Sequence, residues 1–182
     1  MKFLKCVALF ASLSLAFPAL ALDVDQAQSE FTWHGKKVSG AHYGKVPMKS
    51  SSVKVEKGKV VGGEFVLDLT AMTCDDLQGE WKEKFLTHIK SGDFFEVEKY
   101  PTAKLVVEKL DGKMAHGKLT IKDKTNPVKF AYTQKGDVYT GSLTFDRTKF
   151  GMIYGSGDFF KGLGDKMIYN DVKLDFKVAM KK

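Results

Sequence analysis

Cysteine is scarce in this chain, with Cys6 and Cys74 the two examples among 182 residues. Cys6 falls in an N-terminal segment that we expect to be cleaved off, which leaves Cys74 as the one thiol of the mature protein. One cysteine cannot form an intramolecular disulfide, so the fold must be held by packing. Between a predicted strand and a predicted helix, Cys74 is interpreted as a small buried apolar residue. The alternative is a redox-active thiol, or a thiol that joins two copies of the chain in a homodimer.

Motifs that bind metals or carry out catalysis are also missing. The chain has four histidines, which share neither H-x-H nor H-E-x-x-H spacing: His34, His42, His88 and His116. There is no G-x-S-x-G elbow and no phosphate-binding glycine loop followed by Lys-Ser or Lys-Thr. Asp75 and Asp76 are interpreted as charges at a helix start, not as an acid/base pair. We therefore predict no metal site, no catalytic residue, no cofactor and a protein that is not an enzyme.

Arginine is nearly absent, because Arg147 is the single example and all other basic residues are lysines. A guanidinium presents five donors in a planar fork that lysine cannot reproduce, so this position is expected to need that geometry. The favoured interpretation is a structural pair with a carboxylate such as Asp146 or Asp93. The alternative is contact with the headgroup of a ligand.

The one long uncharged run of the chain lies at its N-terminus. Lys2 and Lys5 precede this run, which ends in Ala19-Leu20-Ala21, a cleavage site of the A-x-A type. The pattern is typical of a Sec-type signal peptide, so we expect residues 1–21 to be removed and residues 22–182 to form one periplasmic domain. A membrane anchor is less favoured, because the run is short for a span and contains Ser and Pro.

The excess of positive charge is modest. Without Lys2 and Lys5 the formal net charge falls from +7 to +5. The lysines are spread through every segment, which argues against nucleic-acid binding. Transient contact with an anionic membrane surface is compatible with this charge but is not demanded by it.

One stretch has the periodicity of a helix. Leu77, Trp81, Phe85 and Ile89 recur every four residues, and Ser91-Gly92 then ends the pattern. Such spacing predicts an amphipathic helix whose apolar stripe packs on a sheet.

Most of the remaining chain alternates apolar and polar residues, as half-buried strands do. Turn signals such as Asp111-Gly112 separate these segments. About eight antiparallel strands with one helix predict an all-β barrel, favoured over a sandwich because closure leaves no exposed edge. The helix and a glycine-rich stretch at residues 151–164 should act as caps. Besides the strand residues of the predicted tunnel, five residues should also point into the barrel: Leu69, Val107, Ile121, Leu143 and Leu174.

The pentapeptide S-G-D-F-F occurs twice, at residues 91–95 and at residues 156–160. Each copy ends in two adjacent Phe rings and lies in a connection longer than a hairpin turn. Such connections can cover the opening of a barrel, so at least one ring is expected to border a ligand. Two independent core anchors are the alternative interpretation.

Three segments form a recognisable pattern: H-I-K-S-G-D-F-F-E-V-E-K-Y-P-T-A (88–103), G-K-L-T-I-K-D-K-T-N-P-V (117–128) and F-D-R-T-K-F-G (145–151). They resemble the signature segments of the YceI-like family. Their order and spacing agree with that family over essentially the whole mature chain. The resemblance implies an extended, lipocalin-like antiparallel barrel in the periplasm. It also implies that the barrel holds a long-chain lipid, such as a polyisoprenoid or an isoprenoid quinone, in an apolar tunnel.

We therefore predict a lipid-binding carrier, with an enzyme acting on such a lipid as the alternative. His88 and His116 are the candidate titrating groups of that alternative. The predicted tunnel residues are Phe31, Trp33, Phe65, Leu67, Trp81, Phe85, Phe94, Phe95, Leu105, Leu119, Phe130, Phe145, Phe159, Phe160 and Phe176, with Arg147 as a candidate headgroup contact.

Overall fold

The computed structural model of the protein describes residues 23–181. The predicted signal peptide, residues 1–21, lies outside the described residues. Within residues 23–181, no helix combines the length and the apolar character that a membrane crossing requires.

Nine antiparallel strands and one α-helix make up the described chain. The strands are β1 (Val24–Lys37), β2 (Gly40–Lys45), β3 (Met48–Glu56), β4 (Lys59–Asp68), β5 (Thr102–Asp111), β6 (Met114–Ile121), β7 (Lys124–Lys135), β8 (Val138–Asp146) and β9 (Asp171–Met180). The helix α1 (Gly79–Lys90) lies between β4 and β5. Two 3₁₀ turns, Arg147–Phe150 and Gly164–Lys166, flank the long loop that precedes β9. The order across the sheet is β2-β1-β9-β8-β7-β6-β5-β4-β3.

The two edge strands of this sheet, β2 and β3, are consecutive in sequence and are separated by Val46 and Pro47. The N–H of Val46 donates to the carbonyl of Phe31 in β1 (3.0 Å), and the carbonyl of Pro47 accepts from the N–H of Asp68 in β4 (2.8 Å). One bent segment thus links both edges and curls the sheet on itself. The predicted antiparallel barrel is confirmed, with nine strands where about eight were expected.

The predicted inner face is also confirmed. Every strand residue assigned to it is buried or half-buried and packs in one apolar core. In that core the rings of Phe130 and Phe176 meet edge to face, with centroids 5.5 Å apart. Alternation predicts this face well because successive side chains of a strand point to opposite sides of the sheet.

The predicted helix exists, but its start and its buried face were predicted wrongly. It begins at Gly79, so Leu77 precedes it and Asp76 lies in a loop instead of at a helix start. Ile89 is buried, whereas Trp81 is 73% exposed. A spacing of four residues exceeds the 3.6 of a helical turn, so each step drifts by about 40° and Trp81 points about 80° away from Ile89. Trp81 therefore faces solvent and not the barrel interior.

Candidate ligand-binding site

Two cavities follow one another along the barrel axis. The first, here called the inner cavity, has a volume of 70 Å³ and lies among residues such as Phe31, Leu174 and Phe176. The second, the mouth cavity, has a volume of 350 Å³ and lies under α1. Strand neighbours connect the two, because Trp33 and Val172 line the mouth cavity one inward position beyond Phe31 and Leu174.

The walls of the two cavities differ in chemistry. The inner cavity has only apolar and aromatic side chains around it and is close to filled. The mouth cavity combines apolar rings with basic and hydroxyl groups and is large enough for part of a ligand. The interior therefore holds a larger cavity of mixed lining next to a smaller cavity that is wholly apolar.

The predicted tunnel residues divide into four groups. Those around the inner cavity are Phe31, Phe65, Leu105, Phe130 and Phe176. Those around the mouth cavity are Trp33, Phe85, Phe94, Phe95 and Arg147. Three others pack in the core without lining either cavity: Leu67, Leu119 and Phe145. The last three, Trp81, Phe159 and Phe160, are exposed and line neither cavity, so their predicted place in the interior is wrong.

All the charged side chains around the mouth cavity that the structure describes are cationic. Lys36, Lys37, Lys166 and Arg147 line it, and no carboxylate of residues 23–181 does so. None of the three lysines forms a salt bridge within those residues. The polar end of this cavity is therefore electropositive and complements a polar or anionic group better than a cation.

Within residues 23–181, Arg147 has no carboxylate partner, contrary to the favoured prediction. Its Nε donates to the carbonyl of Tyr169 (3.1 Å), its Nη2 to that of Ile168 (3.1 Å) and its Nη1 to that of Met152. The side chain is 2% exposed, and burial lowers the pKa of Arg147 while nearby Asp146 partly opposes this shift. Arg147 thus ties together the two chain segments that form one side of the mouth.

His88 is the histidine of the predicted pair that reaches the mouth cavity. Its Nε2 lies 3.1 Å from Asp93 Oδ2, and its ring packs edge-on against Tyr154 at 4.8 Å. His116 lies on β6 between the inward residues Ala115 and Gly117 and lines neither cavity. Of the predicted pair, His88 is therefore the candidate titrating group for lipid chemistry, and His42, which was not predicted, also lines the mouth cavity.

The repeated pentapeptide forms the same turn twice. In each copy the Asp N–H lies 3.3 Å from the Ser hydroxyl oxygen, at Ser91 and at Ser156. The first Phe N–H of each copy donates to the same Ser carbonyl at 3.1 Å. Their surroundings differ, because the first pair of rings borders the mouth cavity and the second is exposed. The same turn therefore occurs once at the mouth cavity and once on the exposed surface.

Several mouth residues escaped sequence reasoning. They come from irregular segments without alternation: Met72, Met152, Tyr154, Ile168 and Tyr169. The one available signal was the concentration of aromatic residues in and after the glycine-rich stretch.

The fold and its cavities define a small antiparallel barrel with a largely apolar interior. A family model described as the YceI-like domain matches residues 22–180. The chain belongs to the YceI-like family.

Solved structures support the same fold. Burkholderia cenocepacia BcnA has a TM-score of 0.66 and 23% identity, covering 88% of this chain and 100% of its own. A polyisoprenoid binding domain from Saccharophagus degradans, described as implicated in plant cell wall breakdown, has a TM-score of 0.63 and 12% identity, with 90% and 99% coverage. No curated protein matches this chain. At these identities the likeness shows the fold.

Proposed function

We propose that this protein binds the apolar chain of a polyisoprenoid or isoprenoid-quinone lipid and carries it through the periplasm. The observation that carries the proposal is the mouth cavity of 350 Å³, which opens above a wholly apolar inner cavity. Membership of the YceI-like family and a fold shared with a polyisoprenoid binding domain support it. The predicted signal peptide supports the periplasmic location.

The energetics favour an apolar chain. Removing a CH₂ group from water contributes about 0.8 kcal/mol, so one five-carbon isoprene unit contributes about 4 kcal/mol before the costs of ordering are subtracted. The mouth cavity takes the part of the lipid next to the headgroup, and the lysines around it face that headgroup. A longer chain has to widen the inner cavity, where rings such as Phe130 and Phe176 must turn aside.

A second candidate function is chemistry on such a lipid. The contact between His88 and Asp93 at the mouth cavity favours it, because a histidine next to a carboxylate is a common general base. Both side chains are about half exposed, at 42% and 52%. A binding site without catalysis needs no such group, and binding is the function we favour.

Organic extraction of the purified protein followed by mass spectrometry tests the proposal. We expect a lipid whose mass fits an isoprenoid chain, present at close to one molecule per protein. Protein stripped of lipid should bind the same lipid again. An extract without lipid, together with stripped protein that binds neither a polyisoprenoid nor an isoprenoid quinone, would contradict it. Conversion of the added lipid, lost in His88→Gln, would favour the enzyme.

We also propose that the mouth contacts the membrane during lipid transfer. Phe159 and Phe160 are 55% and 43% exposed, and Lys161 follows them directly. Asp158, next to Phe159, accepts from Asn170 at 2.6 Å, which holds this loop beside Tyr169 at the mouth cavity. Exposed aromatic rings next to lysines are typical of surfaces that bind anionic bilayers.

Replacing the lysines of this surface is expected to weaken vesicle binding. Each lysine near an anionic bilayer contributes about 1 kcal/mol, so Lys161→Ser/Lys166→Ser should bind about 30-fold more weakly to phosphatidylserine-containing vesicles in sedimentation assays. The matched control is Lys57→Ser/Lys135→Ser, which removes the same charge from hairpin turns at the other end of the barrel. Equal losses in both variants would contradict an oriented contact.

A further inference from the structure

Three potential metal ligands from two distant segments meet beside the mouth cavity. His42 lies on β2, and Cys74 and Asp76 lie in the loop between β4 and α1. Nδ1 of His42 is 2.7 Å from Oδ2 of Asp76, and Sγ of Cys74 is 3.3 Å from Oδ1 of the same carboxylate. The nitrogen, sulfur and oxygen ligand atoms all lie within 4.8 Å of one another.

The backbone holds this cluster in place. The loop runs along the open edge of β2, where the N–H of Asp75 donates to the carbonyl of Tyr43 (2.8 Å) and the N–H of Thr73 to that of Lys45 (2.9 Å). The N–H of Tyr43 donates in turn to Oδ1 of Asp76 (3.0 Å). A Cβ atom at Gly44 would overlap the Thr73 carbonyl, so only glycine allows this close approach. The three potential metal ligands are therefore held close together before an ion binds.

The cluster is open on one side. Cys74 is fully buried, whereas the side chains of His42 and Asp76 are 26% and 21% exposed. His42 also lines the mouth cavity, and its ring lies 4.5 Å from that of Phe85. An ion can enter from the side of the imidazole and the carboxylate, and a water molecule can reach the same side.

The arrangement does not fit a nucleophilic cysteine. In such sites the imidazole lies next to the thiol and activates it. Here the carboxylate lies between them, with the imidazole on one oxygen and the thiol on the other. Burial raises the pKa of Cys74, and the adjacent Asp76 raises it further. Without a metal ion the thiol is therefore protonated and unreactive at neutral pH.

We propose that His42, Cys74 and Asp76 form a Zn²⁺ site. Imidazole nitrogen, thiolate sulfur and carboxylate oxygen are the ligands that Zn²⁺ takes, at about 2.0–2.3 Å and in tetrahedral geometry. Such a tetrahedron places its ligand atoms about 3.3–3.6 Å apart, so these atoms need to move by only about 1 Å. A thiol and an imidazole do not suit Mg²⁺ or Ca²⁺. Three protein ligands leave the fourth position for water.

Binding exchanges protons for the ion. The thiol hydrogen bond to Asp76 gives way to a bond between sulfur and zinc, and the thiol proton leaves to solvent. His42 Nδ1 gives up the hydrogen that it shares with Asp76, the neutral imidazole keeps its one N–H on Nε2, and Nδ1 and the carboxylate then each bind the ion. Uptake of one Zn²⁺ should therefore release the thiol proton of Cys74.

Titration of the untagged protein with ZnCl₂ and with CoCl₂ tests the site. We expect one Zn²⁺ per chain by calorimetry, and a Co²⁺ spectrum with a thiolate charge-transfer band and the visible bands of tetrahedral Co²⁺. Loss of an outer-shell partner lowers metal affinity roughly 10–100-fold. Cys74→Ser and His42→Ala each remove a direct ligand, so each should weaken Zn²⁺ binding by at least that factor. His116→Ala is the control, because His116 lies outside the cluster.

The outcomes separate clearly. A Co²⁺ spectrum of the unaltered protein without a thiolate band would overturn the site, whatever the variants do. Zn²⁺ binding that survives in folded Cys74→Ser and His42→Ala, checked by circular dichroism, would overturn it as well. Lipid binding should remain in Cys74→Ser, because Cys74 lines neither cavity. The zinc site and the lipid site can thus fail independently.

Discussion

Arg147→Met should lower the free energy of unfolding by about 3–4 kcal/mol. The substitution leaves the carbonyls of Met152, Ile168 and Tyr169 without their donor, and an unpaired buried acceptor costs about 1–3 kcal/mol. Removal of a buried cation from an apolar surrounding offsets part of this loss. Urea denaturation followed by tryptophan fluorescence measures the change.

Two further variants identify the cause. Arg147→Lys keeps the charge but replaces a planar fork by a single ammonium, so its free energy of unfolding should fall by about half as much as that of Arg147→Met. Lys149→Met lies in the same 3₁₀ turn with an exposed side chain and should change stability by less than about 0.5 kcal/mol. Equal stability of Arg147→Met and the unaltered protein would show that the three carbonyls do not depend on Arg147.

Phe94→Ala/Phe95→Ala should release a long isoprenoid lipid about 10–100-fold more readily than the unaltered protein. Both rings border the mouth cavity, and loss of partly buried aromatic surface on two rings removes about 1.5–3 kcal/mol of contact with the ligand. A short-chain analogue should be released more readily by a similar factor, because the mouth cavity takes the part of the lipid next to the headgroup whatever the length of the chain. Dissociation kinetics of both lipids measure the effect.

The repeated motif offers a matched control for this test. Phe159→Ala/Phe160→Ala removes the same two rings from the same turn, but these rings line neither cavity. Lipid retention should therefore be unchanged in that variant. Unchanged retention of both lipids in folded Phe94→Ala/Phe95→Ala would mark the first pair as ordinary core. Because truncation of a buried Phe can cost about 3–5 kcal/mol, each variant must first be shown to be folded.

Arg147 and the Phe94–Phe95 pair meet at the mouth cavity. Arg147 holds the segments of Met152 and of residues 168–169 at the mouth cavity, and α1 contributes Phe85, His88 and Ile89 to the lining of the same cavity. The guanidinium of Arg147 also lies 5.8 Å from the centre of the Phe94 ring. A variant that loosens Arg147 should therefore also weaken the packing of the Phe94–Phe95 pair that borders the mouth cavity.

The sequence by itself determined the strands, their inner face and the family. Alternation depends only on neighbouring residues, so Phe31, Leu119 and Leu174 could be assigned to the interior without knowledge of their partners. Turn residues are local in the same way, and Gly112 and Gly136 have the positive φ of 60° and 59° that tight turns use. The helix was found from its period, but a strict spacing of four placed Trp81 on the wrong face.

Only the tertiary structure decided how the segments meet. Any residue carries a carbonyl, so no sequence pattern could indicate that Arg147 binds three of them instead of a carboxylate. The division of the interior into two cavities depends on how side chains from all strands fill one volume. His42 and Asp76 meet because a loop more than thirty residues away in sequence pairs with the edge of β2. Such contacts follow from the path of the whole chain, which no local pattern of residues contains.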